Sequence, residues 1–175
     1  MTIFVPRLTI PSNTDLHWIK TTYGGYNRCI LGQPSYGTGS VLSNCTGYAW
    51  GRFLEECGLT NCHLSTGNAG NWYGHTSDGY QRGSVAKLGA IACWSSSGAG
   101  HVAVVEEITS TYIKCSESGW NWSDFFRVTN FNLNMYKSGH TFQGFIYPPI
   151  DFDNLSDEEL IAIIACKKRR RYSDY

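Results

Sequence analysis

The order of the predicted elements constrains the fold of this chain more than any other feature of its sequence. Apolar side chains between Ala49 and Cys57 recur at spacings of three and four, the spacing of one helix face. Ser43 and Asn44 are suited to cap the start of this helix, and Gly58 is suited to end it.

Five strand-like runs follow the helix. They cover residues 90–94, 101–107, 112–117, 125–129 and 142–147. A short second helix is predicted at residues 68–73, and a loop at 74–83. Helices ahead of sequential strands predict an α+β fold, with N-terminal helices packed on an antiparallel meander.

Composition indicates one packed domain without a charged partner. Hydrophobic residues make up 42% of the 175 residues and charged residues 16%, which is typical of a globular protein. The formal net charge is zero, so neither a nucleic acid nor an anionic membrane surface is indicated as a partner. No stretch is long and apolar enough for membrane insertion. The oligomeric state is left open.

The two ends of the chain carry separate expectations. Prolines and an arginine interrupt the apolar run within the first 11 residues, so no secretory signal is predicted and synthesis in the cytoplasm is expected. We predict a domain at residues 1–149, closed by two prolines. Residues 150–175 are predicted to form a C-terminal helix and a basic tail, since a capping box precedes apolar residues and a Lys/Arg run.

One of the seven cysteines has the setting of a nucleophile. The cysteines are Cys29, Cys45, Cys57, Cys62, Cys93, Cys115 and Cys166. An odd number, scattered through apolar contexts, indicates reduced thiols rather than a disulfide framework. Only Cys45 falls in the first turn of a predicted helix, where unpaired N–H groups and the helix dipole stabilise a thiolate. The alternative is a buried structural thiol.

His101 is the candidate base for this nucleophile. It begins a predicted strand directly after Gly98-Ala99-Gly100, and these small residues would leave room for a substrate. In a hairpin centred on Thr109, Glu117 stands opposite His101 and can orient its ring.

The same hairpin register predicts which face of the sheet is buried. The face that carries His101 and Glu117 also carries Ala103, Val105, Ile113 and Cys115. These side chains are apolar or small, so we expect this face to pack beneath the Cys45 helix.

Four segments resemble, in order, the motifs of one enzyme family. Residues 44–52 resemble its nucleophile motif, 89–94 the strand before its histidine, 100–106 its histidine motif and 116–118 its acidic segment. The family is the CHAP domain, the cysteine, histidine-dependent amidohydrolase/peptidase of phage endolysins and bacterial autolysins. The resemblance implies a papain-like fold (CHAP/NlpC-type) and a cysteine-dependent amidase or endopeptidase that cuts peptidoglycan. It also implies an endolysin that acts at the bacterial wall after holin-dependent release.

Two departures from the family pattern concern the site. Many members carry Asn two residues after the glutamate, where this chain has Gly119, so Asn121 is the candidate for a fourth polar member. Residues 21–44 contain no Asp or Glu, so the calcium site of some members is not expected. No metal or cofactor is predicted elsewhere, since Cys57, Cys62 and His63 lack a second matching pair for zinc.

Aromatic residues suggest a substrate-binding groove. Trp72, Tyr73, Trp120 and Trp122 are candidates for contact with glycan or peptide, and core packing is an equal interpretation for each. Two other functions remain open. One is a papain-like cysteine hydrolase that acts on a small substrate, and the other is a non-catalytic wall-binding or phage structural module.

Overall fold

The computed structural model describes residues 4–11, 44–59, 61–119, 126–154 and 156. Within them lies one α-helix, α1 (Cys45–Cys57), followed by single 3-10 turns at Ala69–Asn71 and Thr76–Asp78. The strands are β1 (Arg82–Gly83), β2 (Ile91–Ser95), β3 (His101–Ile108), β4 (Tyr112–Glu117), β5 (Arg127–Asn132) and β6 (Thr141–Ile146). The helix and the antiparallel sheet confirm the predicted α+β class.

Both ends of α1 form as the sequence predicts. The side-chain oxygen of Asn44 accepts hydrogen bonds from the Gly47 N–H, at 2.8 Å, and from the Thr46 hydroxyl, at 2.7 Å. At the other end Gly58 adopts the left-handed conformation, with φ of 64°, which glycine reaches at little cost. These two caps place Cys45 at the first position of the helix.

The six strands form one sheet in the order β1-β6-β2-β3-β4-β5. The expected meander holds for β2 to β5, but β6 returns across the sheet to pair with β2 instead of extending it beyond β5. The outer strand β1 lies within residues 74–83, which the sequence predicted as loop, and it pairs with β6. Its two residues are too few to give a strand pattern.

The helix packs on the opposite face of β3 from the one predicted. Core residues Val102 and Val104 face α1, while Ala103 and Val105 belong to the core on the other side of the sheet. Both faces of β3 are buried, so alternation of apolar residues does not reveal which face meets the helix.

Two polar residues of the β3–β4 hairpin, Glu106 and Ser116, are buried because they have hydrogen-bond partners. The Tyr48 hydroxyl donates to Ser116 Oγ at 2.6 Å, and Ser116 donates to Glu106 at 2.6 Å. Arg52 of α1 binds both oxygens of Glu106, each at 2.9 Å. A satisfied polar network therefore joins α1 to β3 and β4.

The predicted register of the β3–β4 hairpin is wrong by two residues at the end that holds His101. Val104 pairs with Ser116 and Val105 with Cys115, and a bulge follows between Val105 and Glu107. Thr109 begins the turn rather than centring it, since its N–H and hydroxyl both bind the Tyr112 carbonyl. Because the register shifts by an even number of residues, each side chain stays on its predicted face. His101 and Glu117 are therefore diagonal neighbours across the two strands instead of direct partners.

The N-terminal segment, residues 4–11, lies across α1 and β3. The Arg7 N–H donates to Glu106 at 2.8 Å, and Arg52 donates to the Val5 carbonyl at 2.8 Å. The Phe4 ring packs on Phe152 with a centroid separation of 5.2 Å. Phe152 follows residue 149, where the sequence placed the end of the domain. The predicted C-terminal helix lies largely outside the described residues.

Candidate active site

Cys45 occupies the position at which a helix best supports an anion. It is the first residue of α1, half-buried, and its first turn contains no acidic residue. The backbone N–H groups of a first helical turn point outward and carry the positive end of the helix dipole. A thiolate formed at Cys45 is therefore stabilised by its own helix.

His101 joins Cys45 to Glu117. It is the first residue of β3 and nearly buried, and the Cys45 thiol lies close enough to its ring to raise its pKa. Its Nε2 contacts Oε2 of Glu117, which leaves Nδ1 for the thiol. The structure thus brings together the three residues that the sequence singled out, in the order Cys45, His101, Glu117.

The glycine before His101 serves packing rather than substrate access. Gly100 has φ of 76°, and a Cβ there would lie 2.6 Å from the Trp94 carbonyl oxygen and against the Gly70 backbone. The Gly70 N–H donates to the Ala99 carbonyl at 2.8 Å. Gly100 therefore admits the Ala69–Asn71 turn beside His101, so the expectation of space for a substrate does not hold at this residue.

Glu117 is anchored on both oxygens and is only 1% exposed. Oε1 accepts hydrogen bonds from Arg127 Nε at 2.7 Å and from the Thr129 hydroxyl at 2.6 Å. Oε2 faces His101, and Lys137 Nζ lies 4.0 Å from it. Arg127, Thr129 and Lys137 were missed by the sequence analysis. The signal was available in part, because Arg127 is the direct cross-strand partner of Glu117.

His101 and Glu117 shift each other's pKa in opposite directions. Burial alone would lower the pKa of His101, but hydrogen bonds with Cys45 and Glu117 outweigh it and raise that pKa above its usual value. Burial alone would raise the pKa of Glu117, but hydrogen bonds from His101, Arg127 and Thr129 hold it well below its usual range. The arrangement therefore favours a protonated imidazole beside an ionised carboxylate.

The loop between β5 and β6, residues 133–140, forms the adjoining wall. The His140 ring meets the His101 ring edge to face, with centroids 6.2 Å apart. The His140 Nδ1 donates to the Ser138 carbonyl at 2.9 Å, since a carbonyl oxygen can only accept. The sequence analysis did not select His140, because it lies 39 positions from His101 with no strand pattern around it.

Residues 35–119 match the family model of the CHAP domain. This chain carries a CHAP domain. The matched residues include Cys45, His101 and Glu117, and the match confirms the resemblance given by the four motifs. Because CHAP domains are generally amidases or peptidases, the match indicates a hydrolase domain, and it suggests peptidoglycan as the class of substrate.

The aromatic residues proposed for the CHAP groove have separate positions. Trp72 is fully buried in the core beside Trp50, and its indole N–H donates to the Gly67 carbonyl at 3.0 Å. A side chain with no exposed surface cannot contact a substrate, so the interpretation of Trp72 as a substrate-binding residue is wrong. Tyr73 is half-buried and lies over Gly144, where a Cβ would clash with its ring. Trp120, Asn121 and Trp122 lie outside the described residues.

The other described cysteines of the CHAP domain have structural surroundings. Burial raises the pKa of Cys62 to about 12 and raises the pKa values of Cys93 and Cys115 as well. Cys57 ends α1 and is half-buried, and all of these are free thiols. In the described part of the chain no three His, Cys, Asp or Glu side chains are grouped to hold a metal. The same residues include no helix long and apolar enough to cross a membrane.

Proposed function

We propose that this CHAP domain is a cysteine-dependent peptidoglycan hydrolase with Cys45 as nucleophile, His101 as acid and base, and Glu117 as the group that orients His101. The observation that carries the proposal is the unbroken line of contacts from Cys45 through His101 to Glu117. A nucleophile, a base within reach and a third group that orients the base are the arrangement that acyl transfer requires.

The reaction proceeds in two steps. The Cys45 thiol transfers its proton to His101, and the thiolate attacks the amide carbonyl to form a tetrahedral intermediate. The C–N bond breaks as His101 returns that proton to the leaving amine, which leaves a thioester on Cys45. Water then attacks the thioester, its proton passes to His101, and the acid product departs with the thiol restored.

Two features lower the barriers of these steps. The helix dipole of α1 favours the thiolate, and the backbone N–H of Cys45 points toward the oxygen that becomes negative in the intermediate. Glu117, held by Arg127 and Thr129, stabilises the imidazolium that forms when His101 takes the proton.

The bond cut is either the N-acetylmuramoyl-L-alanine amide or a peptide bond of the stem or cross-bridge. We further propose a papain-like fold of the CHAP/NlpC type and the role of a bacteriolytic phage or prophage endolysin. Such a protein is made in the cytoplasm and reaches the wall after holin-dependent release. The domain family alone supports this setting.

Digestion of purified sacculi from several Gram-positive species tests the proposal. The wild type should release fragments whose new ends, read by mass spectrometry, identify the bond. Cys45→Ala should reduce release by about three orders of magnitude or more, because the nucleophile is lost. Cys57→Ala, at the other end of the same helix, is the matched control and should retain activity.

Three outcomes bear against the proposal. Equal release by Cys45→Ala and wild type would remove Cys45 from the mechanism. No release from any wall by a folded wild type would favour a hydrolase of small substrates. If, in addition, iodoacetamide labelled Cys45 no faster than Cys57, a non-catalytic wall-binding module would be the better interpretation.

A further inference from the structure

Two aromatic rings pack against the His101 imidazole. The Trp94 ring lies 5.8 Å from it at an interplanar angle of 41°, and the His140 ring lies 6.2 Å from it at 75°. Glu117 contacts Nε2 of the same imidazole, which fixes one atom of the ring. The plane of the ring can still turn about that atom, because the torsion that rotates a histidine ring has broad energy wells. Since the two packed rings are inclined differently to His101, turning the imidazole changes its contact with both of them.

The loop between β5 and β6 holds both of these rings. The Met135 carbonyl accepts the Trp94 indole N–H at 2.7 Å, and the Met135 side chain is buried in the core. At the other end of the loop, the His140 N–H donates to the Lys137 carbonyl at 3.1 Å. The His140 ring also donates through Nδ1 to the Ser138 carbonyl at 2.9 Å. His140 is therefore fixed at two points, one on its backbone and one on its ring.

His140 is the part of this support that can be changed without opening the core. Trp94 is fully buried and also packs on Phe131 and Phe142, with ring centroids 5.1 and 5.6 Å away. The side chain of His140, in contrast, is half-buried at the end of its loop. A substitution at His140 thus leaves the aromatic cluster around Trp94 in place and tests the contact with His101.

The plane of the imidazole matters because His101 exchanges partners during the proposed reaction. Its Nδ1 takes the proton of the Cys45 thiol and later gives it to the leaving amine. Between these events the Cys45 sulfur is bonded to the substrate carbon and no longer holds Nδ1. A rotation of the ring at that stage moves the proton out of line with the leaving nitrogen, and a misplacement of about 1 Å can cost about a hundredfold in rate.

We propose that His140 is a positioning residue, whose ring holds the plane of the His101 imidazole and whose nitrogens take no part in proton transfer. The inference rests on the proposed function, since it concerns the base of that reaction. The Nδ1 proton of His140 is bound to the Ser138 carbonyl, which suits a role in packing.

Two substitutions separate the ring of His140 from its hydrogen bond. His140→Phe keeps a flat ring without the donor to the Ser138 carbonyl, whereas His140→Asn keeps a donor near the place of Nδ1 without the ring. The substrate is a stem peptide built around the bond identified from sacculi. His140→Asn should reduce kcat about tenfold and leave KM within about twofold of wild type. His140→Phe should retain at least about half of the wild-type kcat.

Iodoacetamide labelling of Cys45 at neutral pH gives a second measurement that needs no substrate. An imidazolium held beside the thiol favours the reactive thiolate, so the labelling rate depends on the placement of His101. The rate should fall about threefold in His140→Asn and stay near the wild-type rate in His140→Phe. Mass spectrometry of the labelled peptides distinguishes Cys45 from the other thiols.

His75 provides a matched control. Its ring also contacts a serine two positions away, with Nε2 3.2 Å from Ser77 Oγ, but His75 is exposed and precedes the Thr76–Asp78 turn. His75→Phe and His75→Asn should therefore leave kcat and the labelling rate unchanged.

Every other pattern overturns the inference. An impaired His140→Phe beside an active His140→Asn would assign the role to the loop hydrogen bond. Losses in both variants would assign it to the ring nitrogens or to the folding of the loop, and wild-type rates in both would leave His140 with no role in the site. If the wild type released no wall fragments while the labelling pattern held, the proposed function would fail and the role of His140 would stand.

Discussion

At the scale of single residues, Glu117 raises the pH at which His101 loses its proton. Hydrogen bonds with Cys45 and Glu117 raise the pKa of His101, so the imidazolium persists to a higher pH than usual. This protonated form is lost as the pH rises through the raised pKa. Removing the negative charge of Glu117 must move that loss to lower pH.

Glu117→Gln is expected to shift the alkaline limb of the kcat/KM profile about one pH unit lower and to reduce the maximum at least about tenfold. The reason is the lost attraction between the carboxylate and the imidazolium. The pH profile on a cleavable stem peptide measures both effects. Glu107→Gln, a half-buried carboxylate near the far end of β3 from His101, should leave the profile in place. An unshifted limb in Glu117→Gln would show that Glu117 does not set the titration of His101.

Sequence reasoning works well for the residues whose roles depend on local placement. Cys45 follows a good N-cap, and His101 and Glu117 share a face in any even register, so their meeting survives the two-residue error. Arg127 and Lys137 reach Glu117 through the β4–β5 pairing and a loop with a strained methionine. The strand pairing signals Arg127 only in part, and the loop leaves no periodic pattern, so Lys137 could not be found in that way.

At the scale of elements, the turn before β3 determines the position of His101. Gly100 combines a positive φ with contact to the Gly70 backbone, so this turn and the Ala69–Asn71 turn fit together only without a side chain. The register of β3 on β4 depends on a bulge beside Glu106, and a bulge is invisible in a strand whose faces are both buried. This explains why the strands were predicted closely while their pairing and the helix-covered face were not.

Gly100→Ala should lower the free energy of unfolding by about 2 kcal/mol or more, through left-handed strain and the clash with Gly70 and Trp94. Urea denaturation measures the change. Gly98→Ala, two residues earlier, is the control, because a Cβ there meets only Ser96 Oγ at 3.8 Å. It should stay within about 0.5 kcal/mol of wild type. Similar losses in both variants would contradict the assigned role of Gly100.

At the scale of the whole molecule, the Glu106 carboxylate connects three parts of the chain. It accepts hydrogen bonds from Arg52 of α1, Ser116 of β4 and the Arg7 backbone N–H of the N-terminal segment. Arg52 is itself buried at 3% exposure and also binds the Val5 carbonyl. These partners lie 54, 10 and 99 positions away in the sequence, so no local pattern points to this role of Glu106.

Glu106→Gln should cost about 2 kcal/mol of folding stability, since the buried Arg52 guanidinium loses the carboxylate that binds it through two hydrogen bonds and keeps only Glu55 and Glu56 as counter-charges. Thermal denaturation measures the loss, and limited proteolysis should cut within residues 4–11 faster than in wild type. Glu107→Gln, the half-buried neighbour, should change neither quantity. A Glu106→Gln variant as stable as wild type would mean that the buried ion pair contributes little to the fold.

The contact between Phe4 and Phe152 affects how this domain can be fused to other proteins. Phe152 lies beside Gly89 and Glu56, and Glu56 is 11 positions along α1 from Cys45, or about 16 Å along the helix axis. The two ends of the described domain therefore leave it at one corner, remote from the thiol. A cargo joined at Phe4 or Phe152 would therefore start at this corner, and a short linker between these two residues would suit a circular permutant.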